Sequence, residues 1–355
     1  MRVAYTLEQC WHRVPGGTGS AALAMASAIA RRGDTELVGV AGRHRTPATP
    51  GFAPDIPVAS LPLGAPWLYE TWLRFGWPLV ESVTGDVDVV HATTVIPPAT
   101  KAPLVATLHD VLFVRHPEWF TARGYRTFTR STSVLRERAR MVMCSSLATV
   151  DDCVANGFEP SRLRHVPLGV APVTVTDADI ERVRAAHALP ERFVLFVGTM
   201  EPRKNLERLI AAMGSVSPRL PLVIAGMAGW GDQPEPDGLD VRLLGFVPND
   251  DLAPLYAASA VTAYPSIAEG FGMPVLEAMA AGAAVVTSRG TSTEEVAGGA
   301  AVLVDPLDTS SIAAGISAAV ARRDELVESG RARAASMTWD ATAALVTDVY
   351  REVIA

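Results

Sequence analysis

Short runs of apolar, largely β-branched residues alternate with stretches of helical spacing along most of the 355-residue chain. Because these runs are apolar almost throughout, they predict strands covered on both faces, as in the parallel sheets of α/β proteins. In the first half the predicted strands are RVAYT, ELVGVA, VDVVHA, PLVATLHD and RMVMCSS. In the second half they are RFVLFVGT, PLVIAG, VRLLGF, AVTAY, AAVVTS and AVLVD.

The alternation breaks once, where Pro172 and Pro190 flank a single helix. A chain of 355 residues is too long for one ordinary core, so we expect two doubly wound parallel-sheet domains that face each other across a cleft. A hinge is expected near 170–176. The predicted bounds of the two domains and of a final helix that packs across a domain surface are 1–170, 171–338 and 339–355.

Composition narrows the class of protein. The formal net charge of −7 argues against a general nucleic-acid binder, which needs a basic face. Cys10, Cys144 and Cys153 are scattered without metal-ligand spacing and predict buried or free thiols in a reducing compartment. The N-terminus turns polar by Glu8, and no run of about 20 apolar residues occurs. We therefore expect a cytoplasmic protein, with peripheral attachment to a membrane left open.

Two adjacent cations, Arg203 and Lys204, follow the predicted strand RFVLFVGT and its turn. Open α/β sheets bind ligands at the carboxyl ends of their strands. Arginine binds phosphate oxygens bidentately and lysine adds a point charge, so this pair suits a diphosphate. The alternative is a solvated pair on the first turn of a helix, although cations there oppose the helix dipole.

A Gly-rich turn separates the strand AVTAY from the helix MPVLEAMAAG. Glu269 precedes this helix and Glu277 lies about one turn inside it. Free amides near Gly272 favour an anion, and glycines let the backbone approach it closely. Carboxylates accept hydrogen bonds from vicinal hydroxyls, so the pattern predicts a nucleotide sugar, with hydroxyls at both ends and a diphosphate between. The alternative is one solvated and one structural glutamate.

Together, GTMEPRKN and EGFGMPVLEAMAAG resemble the retaining glycosyltransferases of family 4, which have the GT-B fold of two Rossmann-like domains. The family's Glu-x7-Glu signature falls on Glu269 and Glu277. PGGTGSAALAMASAIARRG and ATLHD also match in order and position, so the resemblance spans nearly the whole chain. It implies that Glu277 binds the ribose hydroxyls, that Glu269 binds the donor sugar, and that Arg203 and Lys204 neutralise the diphosphate.

The resemblance implies further site residues. His109, at the end of PLVATLHD, faces the donor sugar in the family, whereas a lone histidine is usually structural; Asp110 ranks below it. Gly16 and Gly17 lie in a partial dinucleotide fingerprint and are implied to form a flexible loop, with a plain strand–helix turn as the alternative. The donor-binding residues are then Gly16, Gly17, Gly198, Phe246, Val247, Gly270, Phe271, Gly272 and Glu277.

Neither a metal nor an organic cofactor is expected. Asp86 and Asp88 resemble the metal-binding pair of the other large glycosyltransferase fold, but here they precede a strand. Arg203, Lys204 and a helix N-terminus already supply the positive charge that a diphosphate requires. We therefore interpret the two aspartates as structural.

The predicted activity is transfer of a sugar, with retention, from a nucleotide diphosphate donor to an acceptor hydroxyl. The stretch TLHDVLFVRHPEWF is similar to bacterial members that use GDP-mannose and act on lipid-linked or polysaccharide acceptors. UDP-glucose and UDP-N-acetylglucosamine remain alternative donors. A nucleotide-sugar epimerase, a phosphorylase and a sugar-binding protein are the competing functions.

Two stretches are candidates for contact with the acceptor or with an anionic membrane. APWLYETWLRFGWPLV holds Trp67, Trp72 and Trp77. RGYRTFTRSTSVLRERAR holds six arginines and one acid, Glu137, in a chain that is acidic as a whole. Basic and aromatic residues together suit a lipid head group. The alternative is a core-packing helix followed by a solvated one.

Overall fold

A computed structural model describes residues 1–227 and 238–355 of the chain. In this part of the chain the residues group into two compact units. Unit 1 comprises Met1–Gly169 together with Trp339–Ala355, and unit 2 comprises Val170–Thr338. Each unit is built on its own parallel sheet.

The sheet of unit 1 has seven parallel strands in the described residues. They are β1 (Arg2–Thr6), β2 (Glu36–Ala41), β3 (Val58–Ser60), β4 (Val89–Ala92), β5 (Leu104–Leu108), β6 (Ala139–Cys144) and β7 (Leu163–His165). Their order in the sheet is β3-β2-β1-β4-β5-β6-β7. The five predicted strands are confirmed, whereas β3 and β7 were missed because their residues, VAS and LRH, do not form an apolar run.

The helices between these strands are α1 (Gly16–Arg32), α2 (Trp67–Phe75), α3 (Glu81–Thr84), α4 (Leu112–Arg115), α5 (Ala122–Arg138) and α6 (Leu147–Ala155). Gly33, in the left-handed conformation, caps the C-terminus of α1. One local prediction was wrong. Gly16 and Gly17 are the first two residues of α1, not part of the loop before it, although Gly16 has φ of +61°.

Unit 2 contains six parallel strands in its described residues, and all six were predicted. They are β8 (Val194–Val197), β9 (Leu222–Ala225), β10 (Val241–Gly245), β11 (Val261–Tyr264), β12 (Val285–Ser288) and β13 (Val302–Val304), in the order β10-β9-β8-β11-β12-β13. The helices are α7 (Asp177–Ala186), α8 (Leu206–Met213), α9 (Asn249–Ala258), α10 (Met273–Ala281), α11 (Ser292–Ala297), α12 (Thr309–Ala321) and α13 (Arg323–Ser336). Strands β8, β9, β11 and β12 are buried throughout, whereas β10 and β13, at the two edges of the sheet, are largely half-buried.

The last helix, α14 (Trp339–Ile354), belongs to unit 1 and lies against α1, β4 and β6. Its Tyr350 is fully buried, and the hydroxyl oxygen lies 2.6 Å from Nδ1 of His91. Burial lowers the pKa of His91 to about 3, so the ring is neutral at physiological pH. The helical spacing read from the sequence is confirmed for this segment.

Two other properties follow from the fold. The three cysteines, Cys10, Cys144 and Cys153, are buried free thiols. Among the helices of residues 1–227 and 238–355, none combines the length and the apolar character needed to cross a bilayer.

The close approach of two glycines in unit 2 gives a test of this packing. Gly226 has φ of +151°, and a Cβ atom there would overlap the carbonyl oxygen of Gly198. We expect Gly226→Ala to lower the free energy of unfolding by at least about 2 kcal/mol, because the clash is with backbone. Gly214→Ala is the control, since its Cβ would meet Ala211 O at 3.5 Å without strain. Equal urea stability of the two variants would contradict this packing.

Candidate active site

The order of strands in unit 2 reverses between β8 and β11. The chain leaves these neighbouring strands in opposite directions, which opens a crevice at their carboxyl ends. The loop after β8 enters the 3-10 turn Pro202–Lys204 and carries Arg203 and Lys204. The loop after β11 carries Glu269. Topology therefore brings together two motifs that lie more than sixty residues apart in the sequence.

Glu269 is bound by both cations of the first motif. Lys204 Nζ donates to Oε1 of Glu269 at 2.5 Å, and Arg203 Nη1 donates to Oε2 at 2.6 Å. Arg203 Nε also donates to Oε2 of Glu201 at 2.9 Å. These four side chains, called the ion cluster below, hold two positive and two negative charges. Three of the four were singled out in the sequence; Glu201 was missed, although it lies within GTMEPRKN.

Tyr264 completes the ion cluster and was also missed. It is the last residue of β11 and is fully buried. Its hydroxyl donates to Oε1 of Glu269 at 2.9 Å and accepts a hydrogen bond from Lys204. Lys204 Nζ also lies 4.8 Å from the centroid of the tyrosine ring. Its position at the carboxyl end of a predicted strand, five residues before Glu269, is a signal that could have identified it.

Burial and ion pairing compete at the ion cluster. Burial acts to raise the pKa of Glu269, but the charges of Lys204 and Arg203 and the hydrogen bonds from Lys204 and Tyr264 outweigh it and lower this pKa to about 2. Burial lowers the pKa of Lys204, and the nearby carboxylate of Glu269 opposes that change only in part. Glu269 is thus ionised at neutral pH, because its pKa lies well below 7. Removing either cation would leave its buried charge less well compensated.

Asn205 holds the two loops of the site together. It follows Lys204 directly and has a left-handed backbone, with φ of +62°. Its Nδ2 donates to the carbonyl oxygens of Pro265 at 2.9 Å and Pro306 at 2.6 Å. Ser292 Oγ donates to the carbonyl oxygen of Glu269 at 2.8 Å. These bonds fix the backbone that presents the ion cluster.

Proline and glycine residues mark the two ends of α10. Pro274 is the second residue of the helix, and Gly282 caps its end in the left-handed conformation. Gly272 is the N-cap, with φ of +109°, and a Cβ there would meet Cγ2 of Thr293 at 2.6 Å. Gly272 has no side chain that could cap the helix, Pro274 has no N–H, and the Val275 amide donates to the carbonyl oxygen of Gly272 at 3.0 Å. What this turn offers an anion is therefore chiefly the positive end of the helix dipole.

Glu277, the second glutamate of the signature, has a different partner. It is the fifth residue of α10, and its Oε2 accepts a hydrogen bond from the Tyr256 hydroxyl of α9 at 3.2 Å. Burial raises the pKa of Glu277, and the hydrogen bond from Tyr256 opposes this only in part. Glu277 therefore pairs with Tyr256, whereas Glu269 pairs with Lys204 and Arg203.

The other residues singled out in unit 2 lie at the same edge of the sheet. Gly198 follows β8, and Phe246 and Val247 follow β10, where Phe246 is exposed and Val247 is buried. Gly270 and Phe271 are buried in the loop before α10. All of them belong to loops that leave the carboxyl ends of parallel strands.

Unit 1 repeats the arrangement on its own sheet, whose strand order reverses between β1 and β4. Loops after β1, β4 and β5, together with α5, surround a pocket of about 490 Å³. Its polar lining includes Gln9, His12, Thr18, His109 and Asp110. The exposed Gly16 and Gly17 are outside this lining.

His109 follows β5 and lines the unit 1 pocket. Burial lowers its pKa, while the charge of Asp110 and a hydrogen bond to the backbone of Thr93 act in the opposite direction. The net direction is downward from an ordinary value of 6.5, so His109 is neutral at physiological pH. A neutral imidazole can donate one hydrogen bond and accept another.

Two polar residues of this pocket region were missed in the sequence. Glu8 directly follows β1 and its turn residue; it is buried and accepts hydrogen bonds from the amides of Gly42 at 2.5 Å and Ala65 at 3.2 Å. His12, which lines the pocket, lies 3.1 Å from the Tyr69 hydroxyl through Nε2. Glu8 thereby orders loops that are distant in sequence, a role that spacing alone does not indicate.

Asp86 and Asp88 form hydrogen bonds with Arg2, the first residue of β1. Asp88 Oδ2 accepts from the Arg2 amide at 2.7 Å, and Arg2 Nη1 donates to the Asp86 carbonyl oxygen at 2.9 Å. In the part of the chain that the structure describes, no three His, Cys, Asp or Glu residues are grouped to bind a metal ion.

Comparison with known proteins identifies the family. Residues 15–173 match the model described as Glycosyltransferase Family 4, and residues 191–322 match Glycosyl transferases group 1. Over 272 residues the chain is 31% identical to the O-antigen chain mannosyltransferase B of Escherichia coli, and the match covers 70% of each protein. The chain belongs to glycosyltransferase family 4. This glycosyltransferase is also 33% identical over 280 residues to a D-inositol 3-phosphate glycosyltransferase of Acidothermus cellulolyticus, a match that covers 71% of the chain and 62% of the relative.

The fold is shared with solved glycosyltransferase structures. One is HepE of Anabaena, solved in complex with UDP and glucose, which superposes with a TM-score of 0.75 at 20% identity. The match covers 99% of this chain and 100% of that one. With two parallel-sheet units, this glycosyltransferase has the GT-B fold that its sequence predicted.

The lowered pKa of Glu269 predicts an acid-dependent loss of stability in unit 2. Glu269 stabilises the fold above its unfolded pKa of about 4.5, and this stabilisation is lost as pH falls toward the folded value of about 2. We expect Glu269→Gln to cost on the order of 3 kcal/mol at pH 7. The gap to the wild type should narrow by roughly 1–2 kcal/mol at pH 3.5.

Hydrogen exchange of the amides of β11 and α10 in urea measures this local stability in each protein. The exposed Glu191→Gln is the matched control and should show no gap at either pH. A gap for Glu269→Gln that stays constant with pH would contradict the ion pairing.

Proposed function

We propose that this glycosyltransferase moves mannose from GDP-mannose to a hydroxyl of a lipid-linked or polysaccharide glycan, with retention at the anomeric carbon. The ion cluster of Arg203, Lys204 and Glu269 at the strand-order reversal of unit 2 is the observation that carries the proposal. The relationship to an O-antigen mannosyltransferase supports mannose as the sugar. Family membership and the sequence signature support the retaining outcome.

In this proposal Arg203 and Lys204 bind the diphosphate of the donor. A guanidinium has five N–H donors, so Arg203 can contact phosphate oxygens while it stays paired with Glu269. The Lys204 ammonium has three donors, of which Glu269 and Tyr264 take two. The positive end of the α10 dipole, at Gly272, adds positive potential at the same edge of the sheet.

The two signature glutamates bind hydroxyl groups at the two ends of the donor. Glu269, held ionised by its cations, accepts from hydroxyls of the sugar, with Gly270, Phe271 and Gly272 alongside. Glu277 accepts from the ribose hydroxyls, and its separate partner Tyr256 is consistent with a second position along the same ligand. The backbone near Phe246 and Val247 then contacts the base, and Gly198 lets the chain approach the phosphates.

The proposed reaction breaks the bond between the anomeric carbon and the β-phosphate oxygen and forms a bond from that carbon to the acceptor oxygen. Negative charge develops on the leaving diphosphate as the sugar becomes oxocarbenium-like. Arg203 and Lys204 therefore bind the transition state more tightly than they bind the donor in its ground state. The acceptor proton passes to the leaving phosphate oxygen. The proposal therefore names no protein base, no metal ion and no cofactor.

Unit 1 is proposed to bind the acceptor. Its pocket combines polar groups with an apolar wall that includes Phe113, Phe120 and Phe128, which suits an amphipathic glycan acceptor. His109, neutral at physiological pH, is proposed to hydrogen-bond a sugar hydroxyl from this pocket. We propose that the protein acts in the cytoplasm, where nucleotide sugars are its donors, at the inner face of a membrane.

A panel of donors tests the function directly. The protein is incubated with GDP-, UDP- and ADP-sugars, with and without EDTA, and both thermal shift and sugar release or transfer are measured. We expect the largest shift with GDP-mannose and no effect of EDTA. Preference for a UDP-sugar would move the donor assignment to the second candidate, and conversion of the donor to an epimer would replace the transferase proposal. The absence of binding by every nucleoside diphosphate would overturn it.

Arg203→Gln tests the role of the cation. The variant keeps a polar side chain but loses the charge that stabilises the leaving diphosphate, so we expect kcat/KM to fall about 100-fold. Arg192→Gln, an exposed arginine before β8, is the matched control and should keep wild-type turnover. Unchanged turnover in Arg203→Gln would remove the diphosphate role from this side chain.

Glu277→Gln tests the second carboxylate. A lost hydrogen bond from a hydroxyl to a charged acceptor should weaken binding of the nucleoside diphosphate about tenfold at pH 7. Because the pKa of Glu277 is raised, wild-type affinity should fall at a higher pH than for an ordinary glutamate, and the variant should lack this dependence. Titration calorimetry across pH measures both effects, with the exposed Glu207→Gln as control. An identical pH profile in Glu277→Gln would contradict the assignment.

A further inference from the structure

A surface of unit 1 exposes large aromatic side chains at both ends of α2. Trp67, at the start of the helix, is 71% exposed. Phe75, its last residue, is 75% exposed, and Trp77 just beyond it is 53% exposed. Leu68 and Trp72 on the same helix are buried, so α2 already has its contact with the core. The exposed aromatics are therefore not needed to pack this helix.

Arginines lie beside these aromatics on α2 and α5. Glu70 of α2 lies 3.3 Å from Nε of Arg74 on the same helix and 3.6 Å from Nη1 of Arg130 on α5. This shared carboxylate places the exposed face of α2 next to the arginine face of α5. Arg126 lies one turn before Arg130 and is also exposed. We call the set Trp67, Arg74, Phe75, Trp77, Arg126 and Arg130 the basic-aromatic surface.

The arginines of α5 share one face of the helix. Arg123, Arg126 and Arg130 follow at intervals of three and four residues and are all exposed, whereas Thr132 and Leu135 are buried. The basic-aromatic surface includes three arginines, two of which share the neighbouring carboxylate of Glu70. The chain as a whole has a formal net charge of −7. Positive charge is thus concentrated here against the balance of the molecule.

We propose that the basic-aromatic surface docks onto a lipid bilayer that contains anionic lipids. The arginines pair with the head groups, and Trp67, Phe75 and Trp77 enter the boundary between head groups and acyl chains. Exposed tryptophans favour this boundary because their rings are apolar and their N–H groups remain hydrated. A soluble polyanion is the weaker candidate, since it would use the arginines and leave the aromatics in water.

Docking onto a bilayer would bring the protein to a lipid-linked acceptor, and in this respect alone the proposal rests on the proposed function. Arg123, the first arginine of the same face of α5, lines the unit 1 pocket. A bilayer held against α5 would therefore lie near the pocket assigned to the acceptor. Docking itself needs no transferase activity, so the two proposals can fail separately.

Vesicle flotation with the full-length protein tests the docking. We expect binding to vesicles of phosphatidylcholine and phosphatidylglycerol, weak or no binding to phosphatidylcholine alone, and weaker binding at high salt. Replacement of Arg74, Arg126 and Arg130 by Gln should reduce the partition coefficient roughly 100-fold, since each charge near the surface contributes about a fivefold factor. Replacement of Trp67, Phe75 and Trp77 by Ala should reduce it at least tenfold.

The controls change exposed residues on unit 2, three arginines in one variant and one large apolar side chain in the other. A triple variant of the exposed Arg192, Arg219 and Arg322 to Gln should bind anionic vesicles like the wild type, as should Leu307→Ala, a side chain that is 61% exposed. Equal binding by the arginine variants of both units would overturn the proposal. If vesicle binding were lost in the arginine variant of the basic-aromatic surface but kept in its aromatic variant, bilayer insertion would be overturned in favour of a soluble polyanion.

Nucleoside diphosphate binding by each variant separates the two proposals. It should be unchanged in every variant of the basic-aromatic surface, because the proposed donor site lies in unit 2. Vesicle binding without nucleotide binding would leave the docking surface intact and remove the proposed function. Nucleotide binding without vesicle binding would do the reverse.

Discussion

The buried carboxylate of Glu269 must be matched by two cations from another part of the chain, and this requirement organises unit 2. A single carboxylate in an apolar setting is unfavourable, and Lys204 and Arg203 make its burial tolerable. This pairing requires that the loops after β8 and β11 be held in fixed positions relative to each other. Asn205, with its left-handed backbone and two carbonyl partners, supplies that placement.

A charge-balanced cluster is also suited to exchange partners. An ion pair that is already desolvated lets an incoming anion compete with a carboxylate for the same donors, without a new cost for stripping water from lysine. Tyr264 is consistent with such an exchange, since its hydroxyl can hold either Lys204 or Glu269. In the proposed complex, the cluster would thus bind the diphosphate of the donor. Without a donor, its buried charges remain paired with one another.

Much of this fold could be predicted from the sequence, because buried parallel strands leave long apolar runs between helices. The two strands that were missed, β3 and β7, have the sequences VAS and LRH, which lack the apolar run that identified the equally short edge strand β13. The ion cluster was predicted in part: Arg203, Lys204 and Glu269 stand out beside glycines, but their mutual pairing depends on strand order. Glu8 was missed because its partners Gly42 and Ala65 are distant in sequence. Tyr264 and Glu201 were missed although Glu269 and Arg203 lie within five residues of them, because no spacing rule indicates these pairings. The prediction that Gly16 lies in the loop before α1 was wrong, because the helix begins at Gly16 itself.

The return of α14 to unit 1 has a consequence for dissecting the molecule. The chain supplies the first sheet, then all of unit 2, and only afterwards the helix whose Tyr350 meets His91. A fragment that stops at Gly169 would therefore expose the face of the sheet that α14 covers and leave a neutral, buried imidazole without its phenol. Permuting the chain so that α14 precedes β1 would keep unit 1 as one continuous stretch and free unit 2 for separate expression.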